Sequence, residues 1–244
     1  MNNKIRIITT FMAVLFLGLC SAQAQETKAQ TKMRGGRGYF MTGVNMLDLG
    51  AFNSQLQSSG YSSFSEDLFA LGGGGHAIIN HLIIGGEGHA LLTSDKDVVL
   101  AGRRYKTSLE AGYGFFDLGY QLISHGGFAL YPLVGIGGGG LVLKISERAS
   151  PSFDEVLADP GRGAQLFTGG LMLHASLGAD YFIQTRRDES KQGGVMIGIR
   201  AGYNFTPIKG DWSLEEFAIA GGPEIGITGP YVRVMLGGGG NRSK

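Results

Sequence analysis

Apolar residues alternate with small or polar residues along most of this chain. The clearest example lies in residues 194–205, where every second residue from Val195 is apolar and the residues between are mostly small or polar. The same alternation runs through residues 170–184, with Phe182 as the one exception. A period of two places successive side chains on opposite faces of an extended strand. The pattern therefore predicts strands with one apolar face and one small or polar face.

Six further segments carry the same signal less cleanly, which makes eight predicted strands in all. They are residues 39–49, 69–79, 82–92, 108–122, 128–145 and 231–240. Within residues 108–122 the apolar positions shift by one residue between Phe115 and Phe116. A shift of that kind predicts a β-bulge, because a bulge inserts one extra residue into a strand.

The connections between these segments alternate in length. The short ones are residues 80–81, 124–127 and 185–193, and the long ones are residues 51–67, 93–106, 146–165 and 206–229. Short turns at one rim and long loops at the other are typical of bacterial outer-membrane barrels, which have an even number of antiparallel strands. A soluble β-protein with core aromatic residues could share the alternation, but it has no reason to sort its loops by length.

Aromatic residues are expected in two belts, where such a barrel crosses the two membrane interfaces. With the N-terminus on the periplasmic side, the belt at the periplasmic rim contains Tyr39, Phe40, Tyr120, Phe128, Tyr131, Tyr181 and Phe182. The belt at the external rim contains Phe69, Phe167, Tyr203, Phe205 and Tyr231.

The N-terminus has the features of an export signal. Lys4 and Arg6 precede an apolar stretch, residues 11–20, and Ala22-Gln23-Ala24 has the small-x-small pattern of a cleavage site. We expect residues 1–24 to be a cleaved signal peptide, because the apolar stretch is shorter than the ~20 residues of a membrane span. Lipidation of Cys20 is a weaker alternative. Residues 25–38 are predicted to be a flexible lead-in, and residues 241–244 a polar tail.

Composition narrows the possible classes. Of 244 residues 43 are Gly, the formal net charge is +1, and Cys occurs once. Gly without a three-residue period excludes collagen, and a single Cys excludes a disulfide scaffold. The charge balance offers no basic face for nucleic acid, and no His or Cys spacing suggests a metal site. We expect no cofactor.

Alternating strands, glycine-rich strand centres, long polar loops and an export signal together resemble the small outer-membrane β-barrel proteins, represented by the OmpA transmembrane domain and OmpX. The resemblance covers about residues 38–240. It implies an all-β fold, an eight-stranded antiparallel up-and-down transmembrane β-barrel over residues 39–240, in the outer membrane of a Gram-negative bacterium. It also implies outer-membrane lipid, lipopolysaccharide and the barrel-insertion machinery as partners. Such proteins usually end on an aromatic residue, whereas this chain ends on Lys244, so we expect the insertion signal within residues 231–236.

The polar face of the strands should fill the barrel, because an eight-stranded barrel has room only for side chains inside. The positions predicted to face inward are His76, Glu87, His89, Glu110, Asp117, Lys144, His174, Asp180, Arg200 and Arg233. Isolated charges there would be costly, so we expect a paired network of Glu87 and Glu110 with Arg200 and Arg233. This interior is interpreted as a plug, with a narrow path for a small solute as the alternative.

Catalytic signals are weak. His89 precedes Thr93, Ser94 and Asp95, but the spacing fixes no nucleophile–base geometry. The run from Gly135 to Gly140 matches a dinucleotide-binding spacing, yet no helix pattern follows it. We therefore expect no enzyme. A lipid-modifying barrel and a secreted barrel that binds an apolar ligand remain as less favoured alternatives.

The external loops are the best candidates for function, since recognition residues tend to lie on loops held by a rigid scaffold. Arg103, Arg104 and Trp212 are the candidate surface or lipid contacts, either to lipid phosphates or, for Trp212, to a partner or the interface. We expect a structural or cell-surface interaction role, with an extracellular ligand bound through the loops.

Overall fold

The alternating segments form strands that pair edge to edge. The computed structural model describes residues 33–148, 152–158, 163–187, 192–215 and 217–243. The strands are β1 (Met33–Met46), β2 (Asp67–Ile79), β3 (Leu82–Leu92), β4 (Lys96–Leu100), β5 (Arg103–Tyr120), β6 (Ile123–His125), β7 (Phe128–Glu147), β8 (Gly163–Arg187), β9 (Gln192–Lys209), β10 (Trp212–Leu214), β11 (Phe217–Ile219) and β12 (Gly229–Ser243). The helices are α1 (Gly50–Ser58) and α2 (Phe153–Ala158).

Eight of these strands close into a ring. The order around it is β1, β2, β3, β5, β7, β8, β9 and β12, and every neighbouring pair is antiparallel. The first strand closes the ring, since Gly38 lies opposite Gly75 of β2 and also opposite Gly238 of β12. The predicted eight-stranded antiparallel up-and-down barrel is confirmed.

Both ends of the barrel chain extend further than expected. Met33 lies opposite Ser243 in the β1–β12 pair, so residues 33–38 are strand rather than flexible lead-in, and residues 241–243 are strand rather than tail. Polar and glycine residues suffice there, because the ladder is made by backbone groups that every residue but proline carries. The predicted signal peptide, residues 1–24, the rest of the lead-in, residues 25–32, and residue 244 lie outside the described residues.

Tight turns close one end of the barrel, hereafter the turn end. Asn80 and His81 both have positive φ, 50° and 72°, which is the conformation of a type I′ hairpin turn. Gly126 and Gly127, with φ of 60° and 90°, occupy the next connection. The opposite end, hereafter the loop end, holds α1, the β4–β5 hairpin, α2 and the β10–β11 hairpin.

The outer surface of the ring is apolar on every strand. Exposed outward residues, one from each strand in ring order, are Phe40, Phe69, Leu82, Phe116, Ile136, Leu177, Ile197 and Val234. Such a band around a closed barrel is the surface that faces lipid, because closure satisfies all backbone groups that a bilayer could not. The chain is therefore a barrel of the transmembrane type.

No helix within the described ranges is long and apolar enough to cross a membrane.

Four aromatic residues predicted for the interface belts are buried instead. Tyr39, Tyr131, Phe182 and Tyr231 face the interior and are at most 7% exposed. Each lies next to an outward residue on its own strand, so the strand assignment is correct while the face is the opposite one. These rings face inward, where the buried arginine cations contact aromatic side chains, as described below.

The predicted bulge at Phe115 and Phe116 is wrong. Phe115 pairs with Glu87 and Phe116 with Gly86 without a register shift. The apolar residues of β5 that precede Phe115, such as Leu109 and Tyr113, face inward as Phe115 does. Inward and outward residues therefore alternate along this strand without interruption. The register shifts of this barrel lie in the β8–β9 pair instead.

The inward apolar residues of β5 pack against α1, which fills the loop end of the barrel. Phe52 and Leu56 of α1 are buried in one cluster with Leu109, Leu141 and Trp212. The Phe52 and Trp212 rings are nearly parallel, with centroids 5.8 Å apart. Helix α1, which belongs to the first long loop, thus covers the lumen with apolar side chains. This explains why the strands are apolar on both faces near the loop end.

Most glycines of the barrel strands fall into two groups, inward and outward, that differ in what a side chain would meet. At the inward Gly137 a Cβ atom would lie 1.8 Å from the Gly114 carbonyl oxygen, and at the inward Gly74 it would lie 2.6 Å from the Gly86 oxygen. At the outward Gly38 nothing lies within 4 Å. The inward group therefore permits close approach of neighbouring strands in a narrow barrel.

Candidate functional site

A buried ion cluster occupies the middle of the barrel, and Glu87 lies at its centre. The cluster consists of Glu87, His89, Arg200 and Arg233 with the side chains that bind them, Tyr39, Asn45 and Tyr113. Glu87 projects from β3, whereas Arg200 and Arg233 lie directly opposite each other on β9 and β12. Because β9 is four strands from β3 around the ring, the ion pair between Glu87 and Arg200 links opposite walls of the barrel.

Both oxygens of the Glu87 carboxylate are engaged by arginine. Arg200 Nη1 donates to Oε2, and Arg233 Nη1 donates to Oε1 at 3.1 Å. All three side chains are completely shielded from solvent. Charge-assisted hydrogen bonds of this type are the stronger ones in proteins, and the two guanidinium groups compensate the desolvation of one carboxylate.

Aromatic and amide groups complete the coordination of the two guanidinium groups. Arg200 Nη2 donates to the Tyr39 hydroxyl at 3.4 Å. Arg233 Nη2 donates to Tyr113 and, at 3.3 Å, to Asn45 Oδ1. The Arg233 guanidinium also lies 3.7 Å from the centre of the Tyr231 ring, which is a cation–π contact.

A second hydrogen-bonded chain lies beside this cluster. His174 Nε2 is 2.7 Å from Asp117 Oδ1, and the Tyr231 hydroxyl is 3.2 Å from His174 Nδ1. With Asp117 ionised and His174 neutral, Nε2 donates to the carboxylate and Nδ1 accepts from the tyrosine hydroxyl. The chain connects to the first cluster because Tyr231 also lies against Arg233.

The buried charges of the described residues are balanced. Three cations, Arg37, Arg200 and Arg233, accompany three anions, Glu87, Asp117 and Asp180, when the histidines are neutral. Equal numbers of opposite charges are what a lumen without bulk water requires.

Eight of the ten residues predicted to face inward are buried inside the barrel, namely His76, Glu87, His89, Asp117, His174, Asp180, Arg200 and Arg233. The placement of Glu110 is wrong. It faces outward and pairs with Lys144, another residue predicted to face inward, at 2.8 Å. Glu110 faces outward because inward and outward residues alternate along β5 without interruption, and its neighbours Leu109 and Ala111 face inward.

Sequence reasoning missed the uncharged members of the cluster. Tyr39 is predicted for an interface belt, and Tyr113 is not among the positions predicted to face inward. The signal that could have found Tyr113 is its spacing of four residues from the inward Asp117, since even spacing in a strand means the same face.

Of the candidate surface contacts, Arg103 and Arg104 are exposed at the tip of the β4–β5 hairpin. Arg103 is 3.8 Å from Glu147. The prediction for Trp212 is wrong, because it is 5% exposed and donates from Nε1 to the Pro223 carbonyl at 2.9 Å. The ring covers the apolar loop end rather than facing outward.

Three side chains have a geometry that could hold a metal ion. One ligand atom each from Glu87, Asp117 and His174 lies within 4.8 Å of the others. Both Glu87 oxygens are already bound by guanidinium groups, however, and a divalent cation would lie close to Arg200 and Arg233 in a low-dielectric lumen. The charges around this triad therefore disfavour a metal.

An apolar cleft opens at the loop end, above the lumen. It has a volume of about 230 Å³. Its walls are α1, the upper parts of β7 and β8, and residues 219–223, which follow β10 and include Ile219 of β11. Gln55 of α1 donates to the Gly221 carbonyl at 3.1 Å and so connects two of these walls.

No protein-family model matches the sequence, and no curated protein matches it. Similar solved structures include Ail, the attachment invasion locus protein of Yersinia pestis, with 13% identity, 87% of this chain and 99% of that chain covered, and a TM-score of 0.40. Neisserial surface protein A has 10% identity, with 87% and 97% covered and a TM-score of 0.35. The outer membrane protease OmpT of Escherichia coli has 9% identity, with 91% and 99% covered and a TM-score of 0.35.

Proposed function

We propose that this protein is an outer-membrane barrel whose spanning part is a sealed, non-catalytic scaffold and whose loop end carries its contacts at the cell surface. The observation that carries the proposal is the filling of the lumen at three levels. Apolar side chains around α1 fill the loop end, the Glu87 cluster fills the middle, and two smaller apolar clusters lie towards the turn end.

The lower clusters close the turn end with large side chains. One contains Met41, Phe182, Met196 and Met235 with Tyr39, and the other contains Ile78, Ile83, Ala129, Tyr131 and Leu133. An ion that entered from either end would have to displace apolar side chains before it reached the charged middle. Apolar side chains cannot replace the hydration shell of an ion, and moving an ion out of water without a partner is costly, which supports a plug over a pore.

Burial also supports a non-enzymatic role. The Asp117–His174–Tyr231 chain has the hydrogen bonds of a proton relay, but Tyr231 is 1% exposed and His174 is 4% exposed. A catalytic group must come within hydrogen-bond reach of its substrate, and apolar side chains separate these residues from both rims.

Conductance in planar bilayers tests the plug. The wild-type protein, folded in detergent and shown to be folded by a mobility shift on boiling, should give no discrete openings. Steady openings that Arg200→Ala abolishes would overturn the plug and establish a solute path.

A narrow conduit is the second candidate, and one observation favours it. Several buried polar atoms near the middle of the barrel have no hydrogen-bond partner among the described residues: His89 Nδ1, Asp117 Oδ2 and the Nε atoms of Arg200 and Arg233. Buried groups of this kind usually bind ordered water. A hydrated middle would favour conduction if the apolar ends opened, and the bilayer measurement decides between the two.

We further propose that the outer membrane of a Gram-negative bacterium is the site of action, with lipid and lipopolysaccharide as partners. Arg103 and Arg104 support contact with lipid phosphates, because both are exposed at the loop end. Recovery in the outer-membrane fraction, with weaker binding to lipopolysaccharide after Arg103→Gln and Arg104→Gln together, is the expected result. Recovery as a soluble periplasmic protein with no heat-dependent shift would overturn the membrane assignment.

A further inference from the structure

Helix α2 presents an apolar face that is exposed to solvent. Phe153, Val156 and Leu157 are spaced for one side of a helix, and they are 78%, 43% and 66% exposed. The helix has no buried residue. Asp154 and Glu155 occupy other positions on its surface, so the short helix has distinct apolar and acidic sides.

The start of α2 is held by reciprocal capping. The Ser152 backbone N–H donates to Glu155 Oε2 at 2.7 Å, and the Glu155 backbone N–H donates to Ser152 Oγ at 3.3 Å. This is a capping box. A helix of six residues is marginal in water without a tertiary partner. Packing of its exposed apolar face against another surface would therefore stabilise α2.

The apolar cleft lies at the base of the same loop. Leu143 and Ile145 of β7 and Leu166 of β8 line it, and these two strands are the ones that α2 connects. On the other side the cleft is bounded by Phe52 and Trp212, two rings of the buried cluster. Its volume of about 230 Å³ is below the roughly 300–1,000 Å³ of pockets for drug-sized ligands, but it is suited to an aromatic side chain.

The connecting chain is long enough to bring the helix to the cleft. Phe153 is six residues beyond Glu147, the last residue of β7, and six residues span at most about 20 Å. Leu143 lies four residues before Glu147 in the strand, or about 13 Å along it. Gly163, the first residue of β8, is five residues beyond Ala158, so the return connection has a similar reach.

We propose that α2 is a lid, which docks its apolar face into the cleft with Phe153 foremost and closes the loop end of the barrel. The docked helix buries the apolar residues that are exposed in the open arrangement and leaves its acidic side towards solvent. The exterior of the barrel thus has two states, one with an apolar cleft and helix face exposed and one with both covered. This inference concerns the loop end alone and does not depend on whether the lumen conducts.

Disulfide trapping tests the docking. The sequence contains a single cysteine, Cys20, so a Cys20→Ser background reports only introduced pairs. Leu157→Cys combined with Ala220→Cys joins the apolar side of α2 to the cleft wall. Asp154→Cys combined with Ala220→Cys is the matched control, because Asp154 lies on the same helix but not on its apolar face.

Under mild oxidation the Leu157–Ala220 pair should form an intramolecular disulfide several-fold more completely than the control pair. Phe153→Ser should reduce that cross-link several-fold, whereas Val99→Ser, which changes an exposed apolar residue of β4, should leave it unchanged. All variants are compared after their heat-dependent mobility shift shows a folded barrel.

Three results would overturn the lid. Equal cross-linking of both pairs, or of neither, would mean that the apolar face does not dock in the cleft. A disulfide-linked dimer would assign the face to a second copy of the chain. Quenching of a fluorophore on Leu157→Cys by brominated lipid would assign it to the bilayer.

Discussion

Replacing Glu87 by alanine removes the carboxylate that pairs with both Arg200 and Arg233 in the centre of the barrel. The two guanidinium groups remain buried, because they project from β9 and β12 and neither is exposed to solvent by more than 1%. We expect Glu87→Ala to destabilise the folded barrel strongly while leaving its lipid-facing surface unchanged.

The size of the effect follows from the contacts. Glu87 forms two ion pairs, one with Arg200 and one with Arg233, and its Oε1 is also 3.2 Å from His89 Nε2. At a charge separation of about 4 Å and an effective dielectric constant of about 20, each ion pair contributes about 4 kcal/mol of attraction. Removing one partner of a buried pair typically costs about 3–5 kcal/mol, so the free energy of unfolding should fall by at least that amount.

Glu110→Ala is the matched control. Glu110 is also a glutamate on a barrel strand and also pairs with a cation, Lys144, but its side chain is 52% exposed. Exposed ion pairs contribute about 0–1 kcal/mol. Glu87→Gln is a second test variant, since it keeps the shape of the side chain and removes only its charge.

Urea titration of the barrel folded in detergent micelles measures the difference, with the folded fraction read from the mobility shift on boiling. If Glu87→Ala fails to fold, the same titration of Glu87→Gln replaces it. A loss below 1 kcal/mol for the Glu87 variants, or one no larger than that of Glu110→Ala, would refute the view that this carboxylate stabilises the lumen.

Two further substitutions test the fold. Gly137→Ala should destabilise the barrel by about 1–3 kcal/mol in the same titration, because its Cβ would lie 1.8 Å from the Gly114 oxygen and overpacking has this cost. Gly38→Ala, where nothing lies within 4 Å, should change the free energy of unfolding by less than about 0.5 kcal/mol, and equal effects would contradict the two-group description of the glycines. Trp212→Ala should remove the ring that stacks on Phe52, lower the free energy of unfolding by about 3–5 kcal/mol and speed proteolysis at the loop end. Unchanged proteolysis would show that this ring does not hold α1 over the lumen.

The placement of the polar interior was accessible from the sequence for the residues with an unambiguous strand phase. Glu87 and His89 alternate with small residues on β3, and Arg200 alternates with apolar residues on β9, so the inward face could be read directly. Glu110 could not be placed in this way. Its neighbours Leu109 and Ala111 are apolar but face the lumen, because α1 covers them there.

The same physical reason explains the error at Phe115. An apolar residue in a barrel strand can face lipid or face an apolar plug, and the local pattern is identical in both cases. Since α1 is separated from β5 by more than 40 residues, nothing near Phe115 in the chain indicates that a helix fills the lumen at that height.

By itself, the sequence determined the strand number, the antiparallel order and the apolar outer surface. These depend on the period of two and on loop length, which are local properties of the chain. Only the tertiary structure decided which face of each strand points inward, that the Glu87 carboxylate joins opposite walls of the barrel, and that Trp212 packs against α1 at the loop end. Those features are contacts between residues far apart in sequence, and they exist only when the ring is closed and the first long loop folds into it.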